Sequence, residues 1–270
     1  MLAVAVLILR ALAAAQSARP SYLGFDRNQY PGDEAMKLFR KDFAFTGYWL
    51  SPPPGEKTNT WDGKREYLRS LGYGFVLLAK GRDSRELKSG SDAAEKGASD
   101  AQSATAAARQ ERFAAGATVF LDIEEGGRLA PNYHAYLRAW AEQVRRGGYG
   151  TGVYCSGMPV DEGHGATITT ADDMRGDTSL GSFTFWVYND ACPPSGGCGG
   201  AAPPAAPARS GTSYAAVWQF AQSPRRKEFT ARCAAKYAGD GNCYAPSDSA
   251  HKWFLDLNSA TSADPSGGVK

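Results

Sequence analysis

The chain has 270 residues, of which 43% are hydrophobic and 11% aromatic, and its formal net charge is +2 with a pI near 8.2. This length suits one α/β domain with a single large core. So mild a charge, without a stripe of lysine and arginine interleaved with aromatic residues, excludes a typical nucleic-acid-binding protein.

The amino terminus has the composition of an export signal. The stretch "MLAVAVLILRALAAAQSARP" is apolar, is interrupted by Arg10, and ends in small residues where Ala13 and Ala15 form an A-x-A cleavage pattern. A membrane-spanning helix needs about 20 apolar residues. The sequence therefore predicts a signal peptide over residues 1–18 and a secreted, periplasmic or cell-envelope protein, without stable membrane insertion after cleavage. The positive charges that usually precede such a run are missing, which leaves an uncleaved anchor or a misassigned start codon as alternatives.

Eight short apolar runs then alternate with amphipathic helical stretches, which is the pattern of repeated βα units around a parallel sheet. The runs are YLGF, FAFTGYW, GFVLLA, TVFLDI, GTGVYC, FTFWVY, AAVWQF and KWFLDL. The helical stretches include DEAMKLFRKD, DGKREYLRSLG, the Ala-rich DAAEKGASDAQSATAAARQERFAAG and NYHAYLRAWAEQVRRGG. Eight candidate strands predict an irregular (β/α)8 TIM barrel, a single α/β domain over residues 19–260. The tail, residues 261–270, has no apolar content to bury and is predicted to be disordered.

Acidic residues follow three of these strands. Asp122 and Glu124 come after TVFL, Asp26 ends YLGFD, and Asp256 ends KWFLD. Active sites of parallel α/β barrels lie at the carboxyl ends of the strands, and barrel closure makes the first and last strands neighbours. We therefore expect these four carboxyl groups to share one site, where like charges separate their pKa values. Glycosidic bond cleavage requires such an acid and base.

Other roles for acidic residues stay open. A single Asp after a strand usually forms a turn or caps a helix, which is the interpretation we give to Asp83, Glu125 and Asp190, although Asp190 could line the site. Four carboxylates could also hold calcium or magnesium, which take oxygen ligands. The chain has no dense D-x-D loop, and no His or Cys spacing suits zinc. We expect neither a metal nor a cofactor.

Aromatic and amide side chains near the strand ends suit a sugar-binding groove, because flat rings can lie against sugar faces. The residues expected to contact a substrate are Trp49, Tyr154, Trp186, Tyr188, Trp218, Gln219 and Asn258. Packing in the core is the alternative for each ring. Gln219 is a polar break in an apolar strand, and Asn258 shares a strand face with Asp256.

Five cysteines fit an exported protein. Two close pairs, Cys192 with Cys198 and Cys233 with Cys243, predict two short disulfide loops. Cys155 is left over within GTGVYCSG and is expected to be a buried thiol on a strand. No histidine is placed by the sequence to make it a nucleophile.

The ordered motifs GFDRNQYPG, FLDIEEG, GVYCSG, FWVYND, AVWQFAQS and FLDLNSA resemble a known family. It is the glycoside-hydrolase-like domain catalogued as domain of unknown function 1906, which is similar to the glycoside hydrolase family 25 lysozymes. The lysozymes' D-x-E, W-Q and D-x-N strands are matched by Asp122 and Glu124, by Trp218 and Gln219, and by Asp256 and Asn258. The chain departs from the lysozymes in its Ala-rich segment 89–115 and in the Pro/Gly loop after Asp190, both of which would shape the groove.

The resemblance implies an irregular TIM barrel that acts on peptidoglycan or another N-acetyl sugar polymer. It implies that Glu124 is the general acid and that Asp122 stabilises charge developing on the sugar. Asp26 and Asp256 would position the substrate and tune that pair. We therefore expect a monomeric exported glycosidase, with a non-catalytic glycan-binding protein on the same barrel as the alternative.

Overall fold

The structure is a computed structural model and describes residues 21–199 and 204–269. The predicted signal peptide lies outside them. The strands are β1 (Tyr22–Asp26), β2 (Phe45–Trp49), β3 (Gly74–Lys80), β4 (Thr118–Asp122), β5 (Gly150–Ser156), β6 (Val160–Gly163), β7 (Ala166–Ile168), β8 (Thr184–Tyr188), β9 (Val217–Ala221) and β10 (Asp256–Ala260). The α-helices are α1 (Asp33–Phe39), α2 (Arg65–Ser70), α3 (Gly90–Gln110), α4 (Pro131–Arg146), α5 (Thr170–Gly176) and α6 (Lys227–Thr230).

Eight of the strands close a barrel in the order β1-β10-β9-β8-β5-β4-β3-β2, while β6 and β7 form a separate hairpin. The predicted irregular (β/α)8 barrel is confirmed. Outward side chains pack on the helices: the ring of Phe25 lies 5.5 Å from that of Phe39 and 4.9 Å from that of Phe43.

No helix in the two described ranges is both long enough and apolar enough to cross a membrane.

Large rings opposite glycines fill the lower interior of the barrel. A Cβ added to Gly24 would lie 2.3 Å from the Phe45 ring, and one added to Gly152 would lie 2.6 Å from the Phe120 ring. Because neighbouring strands match a small residue with a large one, the barrel is packed rather than hollow. A cavity lies at the strand ends that carry the polar side chains.

The last strand differs from the prediction in position and direction. KWFLDL was expected to be the strand, but β10 begins at Asp256 and runs antiparallel to both β1 and β9. An antiparallel strand brings its amino end to the edge where parallel strands end. Asp256 therefore begins its strand at the expected edge, directly opposite Asp26 in the β1–β10 register.

The Ala-rich segment forms α3, a 21-residue helix on the outside of the barrel. Its buried face consists largely of small residues, including Ala93, Gly97 and Ala101. A Cβ on Gly97 would lie only 2.3 Å from the backbone carbonyl oxygen of Tyr136 in α4. The composition of α3 thus allows two helices to pack closely, and the segment forms a regular helical crossover between β3 and β4.

Residues 261–269 are ordered, which corrects the predicted disordered tail. The Asp264 carboxylate accepts the Phe75 backbone N–H at 2.9 Å, and the Ser266 hydroxyl accepts that of Leu77 at 2.9 Å. The Ser266 carbonyl oxygen also accepts the Thr118 N–H at 2.8 Å. The segment completes the hydrogen bonding of β3 and β4 at their amino ends, so polar pairing rather than apolar burial holds it.

The predicted disulfide pairing is wrong. Cys192 bonds to Cys233 and Cys198 bonds to Cys243, with Cα–Cα distances of 5.8 and 5.3 Å. The bonded cysteines are 41 and 45 residues apart in sequence, and the two bonds hold their segments side by side. Sequence proximity does not determine such connectivity. Cys155 is a buried free thiol, as predicted.

Candidate active site

The structure brings the four predicted acids together. A cavity of about 260 Å³ opens at the carboxyl ends of the parallel strands, and Asp26, Asp122, Glu124 and Asp256 all line it. We call it the acidic cavity. These residues come from β1, β4, the loop after β4, and the first residue of β10. The convergence follows from the strand-end geometry of the barrel.

Asp26 is held by two amide side chains. Its Oδ1 atom accepts hydrogen bonds from Asn258 Nδ2 at 2.6 Å and from Gln219 Nε2 at 3.0 Å. Asn258 is oriented in turn by Trp186, whose indole N–H donates to Asn258 Oδ1 at 2.9 Å. Burial raises the pKa of Asp26 to about 6, although the two hydrogen bonds favour the ionised form and oppose this shift.

Asp122 and Glu124 are two neighbouring acids, of which Asp122 is buried and Glu124 is exposed. Asp122 is only 5% exposed at the end of β4, whereas Glu124 is exposed in the loop that follows. Burial raises the pKa of Asp122 well above the usual aspartate range, and the nearby charge of Glu124 and a hydrogen bond between the two side chains raise it further. Asp122 therefore favours its protonated form beside the exposed Glu124 side chain.

Asp256 is the third acid that favours its protonated form. Burial raises its pKa well above the usual range, and the charge of Asp26 adds to the shift. Its Oδ1 atom accepts the Ser223 backbone N–H at 2.6 Å, which acts in the opposite direction. Three carboxyl groups around one small cavity cannot all ionise at low cost, so the site retains protons near neutral pH.

Most of the predicted sugar-contact residues reach the acidic cavity. Trp49, Tyr154, Trp186 and Gln219 line it. The Tyr154 hydroxyl donates to Gln219 Oε1 at 2.8 Å, which fixes the amide so that its nitrogen faces Asp26. These rings and amides present both flat apolar surface and directed hydrogen-bonding groups to a ligand.

Three predicted contacts have other positions. Asn258 is fully buried behind Asp26 and supports it without lining the cavity. The Tyr188 ring packs against Tyr154 at 5.4 Å and also does not line the cavity. Trp218 points to the opposite face of β9 from Gln219, where its indole N–H donates to the Asn189 carbonyl oxygen at 2.9 Å. Strand alternation therefore makes Trp218 a packing residue.

The three acidic residues that were predicted to form turns or cap helices have structural partners. Asp83 caps a short 3-10 helix, and Glu125 accepts the Ser84 backbone N–H at 2.7 Å. Asp190 is fully buried in an ion pair with Arg226. None of these three lines the acidic cavity within the described parts of the chain.

Sequence reasoning missed some of the lining. Gln222, Ser223 and Pro224 follow β9 directly, and Asn28 follows β1. Their signal was position alone, since loops just after barrel strands build the site. Lys80, which lies opposite Asp122 in the β3–β4 register, was also missed. Its positive charge favours the ionised form of Asp122 and so partly opposes the rise in the pKa of that carboxyl.

No group of three or more His, Cys, Asp or Glu side chains suited to a metal ion occurs in residues 21–199 or 204–269. Asp26 accepts hydrogen bonds from two amide side chains, and Asp256 accepts one from a backbone N–H. The acidic cavity therefore places several carboxyl groups with different tendencies to hold a proton around a space of small-molecule size.

Comparisons with known proteins agree with this architecture. The model of the family described as "Rv2525c-like, glycoside hydrolase-like domain" matches residues 59–198, just over half of the chain, and includes Asp122 and Glu124. An uncharacterized protein from B. stearothermophilus is similar in structure, with 18% identity, a TM-score of 0.54, and coverage of 88% of this chain and 94% of that one. The Tat-secreted protein Rv2525c of Mycobacterium tuberculosis has 17% identity, a TM-score of 0.51, and coverage of 93% and 98%.

The modular autolysin LytC of Streptococcus pneumoniae, solved with a synthetic peptidoglycan ligand, is also similar. It has 10% identity and a TM-score of 0.50, and the match covers 88% of this chain but 46% of LytC. At such identities, structural likeness establishes the fold alone. A search of curated protein sequences finds no match.

Proposed function

This chain belongs to the Rv2525c-like family of glycoside hydrolase-like domains, and on that premise we propose that it is an exported glycosidase. Its substrate is peptidoglycan or a related N-acetyl sugar polymer, and its chemistry is carboxylate acid–base catalysis. The observation that carries the proposal is the convergence of buried Asp122 and exposed Glu124, with Asp26 and Asp256, on one cavity of small-ligand size at the carboxyl ends of the strands.

In the proposed mechanism, the exposed member of the pair reaches the substrate. A proton passes from Asp122 to Glu124 along their hydrogen bond, and Glu124 delivers it to the glycosidic oxygen as the C–O bond breaks. This transfer leaves Asp122 ionised beneath the sugar, where it stabilises the oxocarbenium-like charge. Water then adds to the anomeric carbon, and its proton returns to the pair.

Asp26 and Asp256 have a positioning role in this scheme. The Oδ1 atom of Asp26 accepts from two amides, and Oδ2 accepts only a longer hydrogen bond, 3.3 Å, from Gln219, so Asp26 has acceptor capacity left for a ligand in the cavity that it lines. Asp256 lines the same cavity and favours its protonated form, which makes it a hydrogen-bond donor. One acceptor and one donor of this kind suit sugar hydroxyl groups.

The proposed export and substrate have separate support. Disulfides persist mainly in oxidising compartments outside the cytosol, and this chain has two. The similar protein Rv2525c is described as Tat-secreted, and LytC is described as an autolysin solved with a peptidoglycan ligand. Both descriptions agree with an exported barrel that acts on cell-wall glycan.

Replacing Glu124 by Gln tests the proposal. We expect release of reducing ends from purified peptidoglycan to fall by roughly 10²- to 10⁴-fold, because general acid catalysis contributes about that much. Folding should be unchanged, since Glu124 is exposed. The matched control is Glu125→Gln, which keeps an oxygen to accept the Ser84 N–H and should hydrolyse at the parent rate.

Parent-like hydrolysis by the Glu124→Gln protein would refute the assignment of the acid. A second outcome would favour the rival function. If calorimetry shows that the parent protein binds glycan fragments while long incubation yields no product, the chain is a non-catalytic glycan-binding protein on the same barrel.

A further inference from the structure

A second cavity adjoins the acidic cavity. It has a volume of about 310 Å³ and is lined by Arg27, Gln29, Glu56 and Phe254, together with Asn28, Ser223 and Asp256, which also line the acidic cavity. We call it the Arg27 cavity. Its size is at the lower end of the range for small-molecule sites. A ligand that occupies the acidic cavity can therefore extend into it.

In the described part of the chain, the Arg27 guanidinium lies against aromatic rings and makes no hydrogen bond that satisfies its buried Nε and Nη1 atoms. Its guanidinium lies over the rings of Trp253 and Phe254, at 5.0 and 5.2 Å from their centroids. Its Nε and Nη1 atoms are buried with no hydrogen-bond partner, and it forms no ion pair within residues 21–199 and 204–269. The rings fix the guanidinium but leave its in-plane N–H groups unfilled.

The nearby acids do not supply the missing partner. Glu56 accepts a hydrogen bond from Gln29 Nε2 at 3.0 Å. Asp256 accepts the Ser223 N–H and favours its protonated form. Burial lowers the pKa of Arg27, and Asp256 opposes this shift only when it is ionised. Leaving buried donors unpaired is costly, so the position favours an external anionic acceptor.

We propose that the Arg27 cavity binds a carboxylate carried by a sugar of the glycan, with Arg27 as the donor and Phe254 as the surface against which the sugar lies. The inference rests on the proposed function and specifies its substrate class, an acidic glycan. Phe254 is 45% exposed and so offers an open ring face beside the cavity.

A carboxylate fits this environment better than a phosphate does. Arg27 lines the cavity and can donate a charge-assisted hydrogen bond to a carboxylate oxygen. Glu56 also lines the cavity, so a dianionic group would meet a repulsive charge that a monoanion meets less strongly. One guanidinium and one nearby carboxylate therefore favour a ligand group with a single negative charge.

The test measures binding to two oligosaccharides that differ only in charge. One consists of alternating N-acetylglucosamine and N-acetylmuramic acid, and in the other the muramic carboxyl group is reduced to an alcohol. Titration calorimetry on the Glu124→Gln protein measures affinity without turnover. We expect the acidic oligosaccharide to bind roughly 10- to 100-fold more tightly, the range for a hydrogen bond to a charged group, and this preference to shrink as salt increases.

Variants then assign the preference to one side chain. Arg27→Met should bind both oligosaccharides with the affinity that the reduced one has for the parent, and Arg27→Lys should keep part of the preference. The matched control is Lys41→Met, which removes one positive charge from an exposed position just before β2, at the opposite end of the barrel. It should keep the full preference.

Two results would overturn the inference. Equal affinity of the protein for the two oligosaccharides, or a preference that survives Arg27→Met, removes the carboxylate site but leaves the glycosidase proposal standing. Failure to bind either oligosaccharide refutes both. The comparison of the two ligands on unmutated Arg27 requires no variant at this position, so a folding defect in Arg27→Met cannot hide the answer.

Discussion

Replacing Asp26 by Asn should stabilise the protein at neutral pH. Asp26 is 8% exposed, and its Oδ1 atom accepts both the Asn258 and the Gln219 amide hydrogens. An asparagine side chain can place its one carbonyl oxygen at this point and keep both of these hydrogen bonds, losing only the longer one, 3.3 Å, that Gln219 Nε2 also donates to Oδ2. It cannot ionise, so the free-energy cost of a buried charge is removed.

The magnitude follows from the pKa of Asp26. Burial raises this pKa from 3.8 to about 6 in the folded protein, a shift worth about 3 kcal/mol at roughly 1.4 kcal/mol per pH unit. Below pH 3.8 the group is protonated in both states and contributes nothing. Between pH 3.8 and 6 the unfolded chain ionises first, so the stability of the parent falls as pH rises. Above pH 6 the full loss remains.

Urea unfolding between pH 3.5 and pH 8 measures this difference. Asp26→Asn should match the parent at the lowest pH and exceed it by up to about 3 kcal/mol at pH 7. The control is Asp33→Asn, because hydrogen bonds from Tyr30 and Lys64 lower the pKa of exposed Asp33. That variant should lose stability at neutral pH and approach the parent as pH falls.

A gap between Asp26→Asn and the parent that does not change with pH would refute the reasoning, and so would a less stable variant at pH 7. Hydrolysis of peptidoglycan should fall in the same variant, since an amide cannot replace the acceptor oxygen that faces the sugar. A gain in stability with a loss of activity is the expected behaviour of a residue kept for function.

Two further predictions concern the scaffold. Replacing Cys198 and Cys243 together by Ala leaves the Cys192–Cys233 bond in place, so it opens a loop of only roughly 18 residues and should cost about 3 kcal/mol by the chain-entropy estimate; urea unfolding that shows a loss below about 1 kcal/mol would contradict a structural role. Gly97→Ala should lower the unfolding free energy by about 1–3 kcal/mol despite the better helix propensity of alanine, because its Cβ would meet the Tyr136 carbonyl oxygen at 2.3 Å. Gly90→Ala, in open surroundings on the same helix, should be neutral or stabilising in the same assay.

The candidate site was predictable because a topological rule connects remote residues. Asp26, Asp122 and Asp256 each adjoin an apolar run, and a closed barrel gathers such strand ends at one edge. The rule succeeded for Asp256 even though β10 runs in the opposite direction. It could also have pointed to Gln222, which follows β9 directly. Period-two alternation, applied consistently to VWQF, would have separated Trp218 from Gln219.

Other features depended on partners that no local pattern identifies. The cysteines at 192 and 198 are close in sequence, yet each bonds to a cysteine more than 40 residues away. The polar tail is ordered because Asp264 and Ser266 meet unpaired backbone groups of β3. The guanidinium of Arg27 lies against the rings of Trp253 and Phe254, which are far from it in sequence.

The sequence by itself determined the alternation of strands and helices, the barrel, and the acids at its carboxyl edge. These depend on side-chain period and on residues within a few positions of one another, which the order of the chain records directly. The tertiary structure alone decided the direction of the last strand, the disulfide partners, the ordered tail, and which acids are buried. Those outcomes depend on contacts between distant segments, whose free energies are set by the packing of the whole chain.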